Sequence, residues 1–356
     1  MPPDGSDWPL WPPEWPEIGQ SVAAVIASGD WGRYHSDACR DLESRICERF
    51  DVSTCRLTCS GSAAIELAMR ASRVAPGDEV ILAAYDYPGN FRSIEILGAT
   101  PVLVDVAPGI PCIDPGQLEK ASSDRVVAVI ASHMYGQAAD VASLRQICDA
   151  HGWILIEDAC QVPGMRIGGR PAGSFGDLAA LSFGGSKPLT AGSGGAILVS
   201  NERLTARLAA IIDRPSDTFP MSPLQAAVLP PQLERLDEMN AKRRDTVRYL
   251  VEALPEFDWI DANSNQVSPA YYKLAWLAGR GSARADQEGS AGASPSLPIG
   301  EGFRTTAGTS DRRCRKPVPL DRSIELSEAC RVLDHRALLA EPERYDDLAQ
   351  ALRAAR

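Results

Sequence analysis

The sequence predicts an α/β fold: a large domain built on a mostly parallel central sheet with helices on both faces, then a smaller α/β domain. Two observations carry this. From Arg56 onward, short apolar runs of strand length alternate with amphipathic stretches of helix length, the pattern of right-handed βαβ units. The chain also has 356 residues, too many for one small core.

Taken in order, residues 1–17 are rich in Pro and Trp and read as an irregular arm. A helix is expected over about 18–28 and another over 36–49, where Leu42, Ile46 and Phe50 keep helical spacing. Strands are expected at Arg56–Thr58, Glu79–Leu82, Pro101–Asp105, Val126–Ala131 and Trp153–Glu157. The helices between them fall near 62–73, 88–97, 114–121 and 140–150. Leu178–Phe183 and Gly195–Ser200 leave little room for a helix between them, so a turn or a reversed strand is expected there. A long helix over 222–254 should kink or break at Pro230-Pro231. The large domain therefore spans 18–254 and the small one 255–356, where Gly281–Ser296, poor in large apolar residues, reads as a mobile loop.

Composition narrows the function. A net charge of −11 argues against nucleic acid or an anionic membrane as partner, since both call for a basic surface. No apolar run approaches a membrane span. Nine cysteines, an odd number without a CxxC pair, and a start without a secretion signal favour a reducing cytoplasm. Four histidines without metal-ligand spacing predict no metal site.

Four segments stand where strands end, the place where open α/β sheets bind ligands. Cys59-Ser60-Gly61-Ser62-Ala63-Ala64 joins a strand to a helix. Its small residues and the helix N-terminus suit a phosphate, and an ordinary N-cap has the same look. Ala84-Tyr85-Asp86-Tyr87-Pro88-Gly89-Asn90-Phe91 offers an aromatic for stacking on a planar ring, or a core aromatic. Trp153-Ile154-Leu155-Ile156-Glu157-Asp158-Ala159-Cys160-Gln161 sets a carboxylate at the sheet edge, where an anion keeps a ring nitrogen protonated or simply caps a turn. Leu181-Ser182-Phe183-Gly184-Gly185-Ser186-Lys187-Pro188 places a lysine among small residues. Such a lysine is a desolvated nucleophile or a surface residue in a glycine-rich loop.

Order and spacing, phosphate loop, aromatic, Asp and then Lys, bring these segments together. Residues 29–250 resemble the DegT/StrS family of pyridoxal-phosphate (PLP) aminotransferases, which make amino sugars and aminocyclitols. The resemblance is densest in Gly77-Asp78-Glu79-Val80-Ile81, Gly98-Ala99-Thr100-Pro101-Val102, His133-Met134-Tyr135-Gly136-Gln137, Glu157-Asp158-Ala159-Cys160-Gln161 and Ser182-Phe183-Gly184-Gly185-Ser186-Lys187. It implies the aspartate-aminotransferase-like fold (fold type I) and PLP as cofactor. By that resemblance Lys187 holds the cofactor as a Schiff base and moves the proton. Asp158 pairs with the pyridine nitrogen, Gln161 meets the ring hydroxyl side, Gly61, Ser62 and Ser182 hold the phosphate, and Tyr87 stacks on the ring. His133, Tyr135, Trp31, Tyr34 and Ser186 lie in matching segments and are equally accounted for by packing.

The implied activity is transfer of an amino group from glutamate or glutamine to a keto or aldehyde sugar, cyclitol or related intermediate. The partners are thus a small-molecule donor and acceptor, and a homodimer with its sites at the interface. A lysine at 187 separates the chain from the family's dehydratase branch, which has histidine there. The family's Asn that reaches the neighbouring subunit's phosphate has no clear counterpart in Asp213-Arg214-Pro215-Ser216-Asp217-Thr218, with Ser216 and Thr218 as substitutes. Arg304 falls where the family contacts substrate. Other PLP chemistry on an amino-acid-like substrate (elimination, replacement or cyclisation) uses the same residues, and a non-catalytic protein on this scaffold is a third reading.

Overall fold

The computed structural model describes residues 9–212, 219–260, 266–279, 299–303 and 314–355. Ser216, Thr218, Arg304 and the stretch Gly281–Ser296 lie outside them. Two helices open the fold, α1 (Pro16–Ser28) and α2 (Asp37–Phe50). Pro16 at its first position starts α1, and Ser36 caps α2 through the Cys39 N–H. The alternating region follows: β1 (Thr54–Thr58), α3 (Gly61–Ala71), β2 (Glu79–Ala83), α4 (Pro88–Ile96), β3 (Thr100–Val104), α5 (Leu118–Ala121), β4 (Val126–Ser132), α6 (Val141–His151) and β5 (Ile154–Asp158). A small hairpin, β6 (Arg166–Ile167) and β7 (Arg170–Pro171), precedes β8 (Leu178–Ser182) and β9 (Gly195–Val199).

These strands form one seven-stranded sheet in the order β1-β9-β8-β5-β4-β2-β3. Neighbours from β8 to β3 are parallel, while β9 is antiparallel to both β8 and β1. Only β9 therefore runs against the rest, as the short Phe183–Gly194 connection predicts. β2, β4 and β9 are almost wholly buried, which is why they read as continuous rather than alternating apolar runs. The consequence for function is geometric. The C-terminal ends of β1, β2, β5 and β8 share one edge, and all four segments singled out in the sequence open from it.

After α7 (Glu202–Ile212), the long helical stretch is divided into α8 (Pro223–Ala227), α9 (Pro230–Glu234) and α10 (Leu236–Ala253). The break expected at Pro230-Pro231 is the start of α9: a proline is compatible with a first turn, not with an interior. Beyond it lie β10 (Asp258–Ile260), β11 (Val267–Ser268), β12 (Lys273–Leu277), β13 (Ile299–Glu301), α11 (Asp321–Ala329), β14 (Cys330–Asp334) and α12 (Tyr345–Ala354). β10-β12-β14-β13 make a second, antiparallel sheet. A separate apolar cluster, including Leu250, Leu274, Leu333, Leu338 and Leu352, packs it against α10 and α12. Among the described residues no helix is long and apolar enough to cross a membrane.

Candidate active site

The start of α3 is built first. Ser60 caps it, its side chain accepting the Ala63 N–H at 3.0 Å, which leaves the N–H groups of Gly61 and Ser62 in the first turn without helical partners. A Cβ on Gly61 would lie 2.9 Å from both Ser182 Cβ and Cys160 Sγ. Only glycine lets this helix start approach the ends of β8 and β5 so closely. A Cβ on Gly195 would likewise strike the backbone of Ser60. Gly61 and Ser182 are thus in close contact, with Ser62 next in the same turn, beside a positive helix end suited to an anion.

Asp158 ends β5 and is buried. Its Oδ1 accepts the Cys160 N–H at 3.0 Å and its Oδ2 accepts Asn90 Nδ2–H at 2.8 Å. Gln161 is buried beside it, with Oε1 lacking a partner among the described residues. Glu157, one residue earlier, points to the opposite face. There it accepts His133 Nε2 at 2.8 Å and the N–H groups of Phe175 and Gly176. His133 Nδ1 accepts from Ala139 N–H, which puts the ring proton on Nε2, toward Glu157. Burial alone raises the Glu157 carboxyl, but these bonds more than offset it and hold it below the ordinary range.

Lys187 stands in the loop between β8 and β9. Its N–H closes a turn on Gly184 O at 2.9 Å. Its ammonium lies 4.1 Å from the centroid of the Tyr272 ring. Burial pushes the amine down, Cys160 and Asp158 oppose this, and Lys273 adds to it; the net shift is downward. The residue keeps some exposed surface, so the amine is at once desolvated and reachable. A lysine in that condition is a better nucleophile and base than a free one.

Tyr87 follows β2. Its ring leans over Gly89, where a Cβ would be 2.3 Å from Cε1, and meets Phe303 at a centroid distance of 5.8 Å. It remains 41% exposed, so the ring borders the open side of the site. The Tyr135 hydroxyl meets that of Tyr85 at 3.1 Å. Ser186 shares a hydrogen bond with the Tyr272 hydroxyl at 2.8 Å. Trp31 and Tyr34 are 57% and 93% exposed.

Several residues around the site were not signalled by the sequence. Tyr272 precedes β12, and His335 follows β14 with Nε2 at 3.1 Å from Ser186 O. Trp11 donates from Nε1 to Lys187 O at 3.0 Å and meets the His335 ring edge-on. Asp86 and Asn90 stood inside a quoted segment, but only their spacing of four residues at the start of a helix hinted that they share a face.

With this geometry in view, residues 14–283 match the DegT/DnrJ/EryC1/StrS aminotransferase family. The chain belongs to that family. Among curated relatives, the L-glutamine:2-deoxy-scyllo-inosose aminotransferase of Micromonospora echinospora is 33% identical over 274 residues, covering 69% of this chain and 65% of the relative. The GDP-perosamine synthase of Caulobacter vibrioides is 35% identical over 207 residues, covering 55% of this chain and 56% of the relative. The match thus spans just under two thirds of the first relative's length. Among solved structures, 3-amino-5-hydroxybenzoic acid synthase superposes with a TM-score of 0.84 at 24% identity, over 99% of both chains. An aminotransferase from Psychrobacter cryohalolentis gives 0.85 at 22% identity, over 98% of both. At these identities the likeness is one of fold, and it bears out the fold type I expectation for this family member.

Proposed function

We propose that this protein is a PLP-dependent aminotransferase that moves an amino group from L-glutamine or L-glutamate to a keto or aldehyde group on a sugar, cyclitol or related small molecule. The observation that carries the reading is the desolvated Lys187 amine near the Asp158 carboxylate, at the edge where Gly61 and Ser182 meet. The family and the relative named as an L-glutamine:2-deoxy-scyllo-inosose aminotransferase support it.

The residues present fit such a cofactor. Gln161 keeps a buried acceptor without a partner among the described residues, and a missing Cβ at Gly61 opens a cradle beside Ser182. Lys187 Nζ would hold PLP covalently, Asp158 would hold the proton on its ring nitrogen, Gly61, Ser62 and Ser182 would hold its phosphate, Gln161 would meet its hydroxyl side, and Tyr87 would cover its face. When bound, the cofactor supplies an electron sink for a carbanion at the substrate carbon. The chain supplies the rest. Lys187 Nζ, with its pKa lowered, takes a proton and returns it, since a base works best near the ambient pH. Tyr272, its ring centroid 4.1 Å from that amine, limits water around it.

The same reading places the protein in the cytoplasm as a homodimer with its sites at the interface. All nine cysteines are free thiols, and exposed Ile26, Trp31 and Tyr34 give α1 and the turn after it an apolar surface for a second copy to cover.

The test is an absorbance titration with PLP, before and after L-glutamate and then L-glutamine, with Lys187→Ala alongside. A visible band that needs Lys187 and converts to the amine form with either donor supports transamination. A Lys187-dependent band that neither donor converts favours elimination, replacement or cyclisation. Without such a band the cofactor assignment fails.

A further inference from the structure

β2 and β5 flank β4, so the segment after β2 faces the last residues of β4 and β5. A buried polar array meets there, behind Asp158. Asn90, in the first turn of α4, donates from Nδ2 to Asp158 Oδ2 at 2.8 Å. The same nitrogen lies 3.2 Å from Ser132 Oγ and 3.3 Å from Asp86 Oδ1. Asp86 Oδ1 also accepts the Tyr87 N–H at 2.6 Å. Asp86 and Asn90 are each 1% exposed, Asp158 5% and Ser132 6%.

Packing does not account for this array. Asp86 Oδ2 and Asn90 Oδ1 are buried without partners among the described residues, and a buried polar atom left unpaired destabilises the fold. Apolar residues of similar volume would avoid that cost. What the array does is fix a carboxylate. A carboxylate's terminal torsion is broad and roughly two-fold, yet here the Cys160 N–H holds one oxygen and Asn90 holds the other. Asn90 is itself held from behind by Asp86. Burial and the neighbouring Asp158 push the Asp86 carboxyl up to about 8. At neutral pH the array then carries one fewer negative charge than its two carboxyls allow, and Asp86 serves as a neutral anchor.

We infer that Asn90 is a positioning residue that aims Asp158 at the cofactor's ring nitrogen, with Asp86 holding Asn90 in place. This rests on the PLP reading of the site. It assigns no chemical step to either residue; both act through Asp158.

The test is a spectroscopic titration of the purified protein with PLP, following the Lys187-dependent band, its position and the dissociation constant. Asn90→Ala is expected to weaken cofactor binding tenfold or more and to move the band. Asn90→Thr, which returns a hydroxyl donor, is expected to recover part of the loss. Asn90→Asp keeps the size and removes the donor, and is expected to weaken binding at least as much. It serves where Asn90→Ala does not fold. Asp86→Asn, a neutral isostere, is expected to stay within twofold of the unsubstituted protein, whereas Asp86→Ala follows Asn90→Ala. A merely structural role predicts lower melting temperatures with the band and dissociation constant unchanged. That result overturns the inference, as does an Asp86→Asn loss as large as that of Asn90→Ala. Absence of the band in the unsubstituted protein overturns the PLP reading and this inference together. A normal band there with no effect at Asn90 overturns this inference alone.

Discussion

Gly61 is the residue on which the proposed phosphate cradle depends most directly. Its substitution by alanine leaves the helix start intact, because alanine is a good helix former and Gly61 has an ordinary negative φ. The added Cβ, however, would sit 2.9 Å from Ser182 Cβ, an atom fixed to the strand and not the end of a flexible chain. Ser182 and the helix must part by a few tenths of an ångström. Gly61→Ala is therefore expected to keep its circular dichroism, to melt at a somewhat lower temperature and to lose tenfold or more in PLP affinity by titration. Equal affinity with a lowered melting temperature would show that Gly61 serves packing only. At this scale the sequence was informative where chemistry and local order coincide: Lys187, Asp158, Gln161 and Ser182 sit in continuous segments at strand ends. Tyr272 and Trp11 were not legible. They reach the lysine loop across 86 and 176 residues of chain, in segments where the resemblance is loose or absent.

The decisive element is β5, because its last two residues point to opposite faces. Asp158 serves the site, and Glu157 holds together β4, β5 and the Gly173–Gly176 turn. Glu157 has a folded pKa below its ordinary value of 4.5. Its contribution to stability is therefore present in full above the unfolded-state pKa and is lost as pH falls through the folded one. Acid unfolding of the protein is expected to steepen below about pH 4.5, and Glu157→Gln is expected to flatten that limb. At neutral pH, Glu157→Ala leaves four donors, His133 Nε2–H and the N–H groups of Gly173, Phe175 and Gly176, unpaired and is expected to cost about 3–5 kcal/mol. Urea unfolding at pH 7 and at pH 4 measures both effects, and an unchanged acid limb in Glu157→Gln contradicts this account. Strands of this sheet were legible to within two residues, since buried parallel strands leave unbroken Val, Ile and Leu runs. The small sheet was legible only as a class. β10 and β13 are only three residues long, and β12 and β14 mix charged residues (Lys273, Arg331, Asp334) with their apolar ones, so no unbroken apolar run marks them.

For the molecule as a whole, the lysine loop is where separate parts of the chain meet. β8 and β9 carry the loop, Tyr272 and His335 bring the small sheet to it, and Trp11 brings the N-terminal segment. A ligand seated at Lys187 therefore touches the joint between the two sheets. A cofactor at a hundred times its dissociation constant stabilises the state it binds by about 2.7 kcal/mol. If the joint couples both sheets, that gain appears as one later transition for the whole chain. If it does not, only the large sheet gains. Scanning calorimetry with and without PLP is expected to show a single transition that moves up with the cofactor. Tyr272→Ala, which removes the ring beneath the lysine, is expected to split it, the small-sheet part melting first and no longer responding. Two transitions in the unsubstituted protein, with only one moved by PLP, would place the boundary between independently stable units between α10 and β12 and refute the coupling. The direction of coupling also bears on catalysis. A site closed partly by a second sheet excludes water only while the two sheets move together, so the calorimetric coupling and the retention of the lysine's lowered pKa should fail in the same variants.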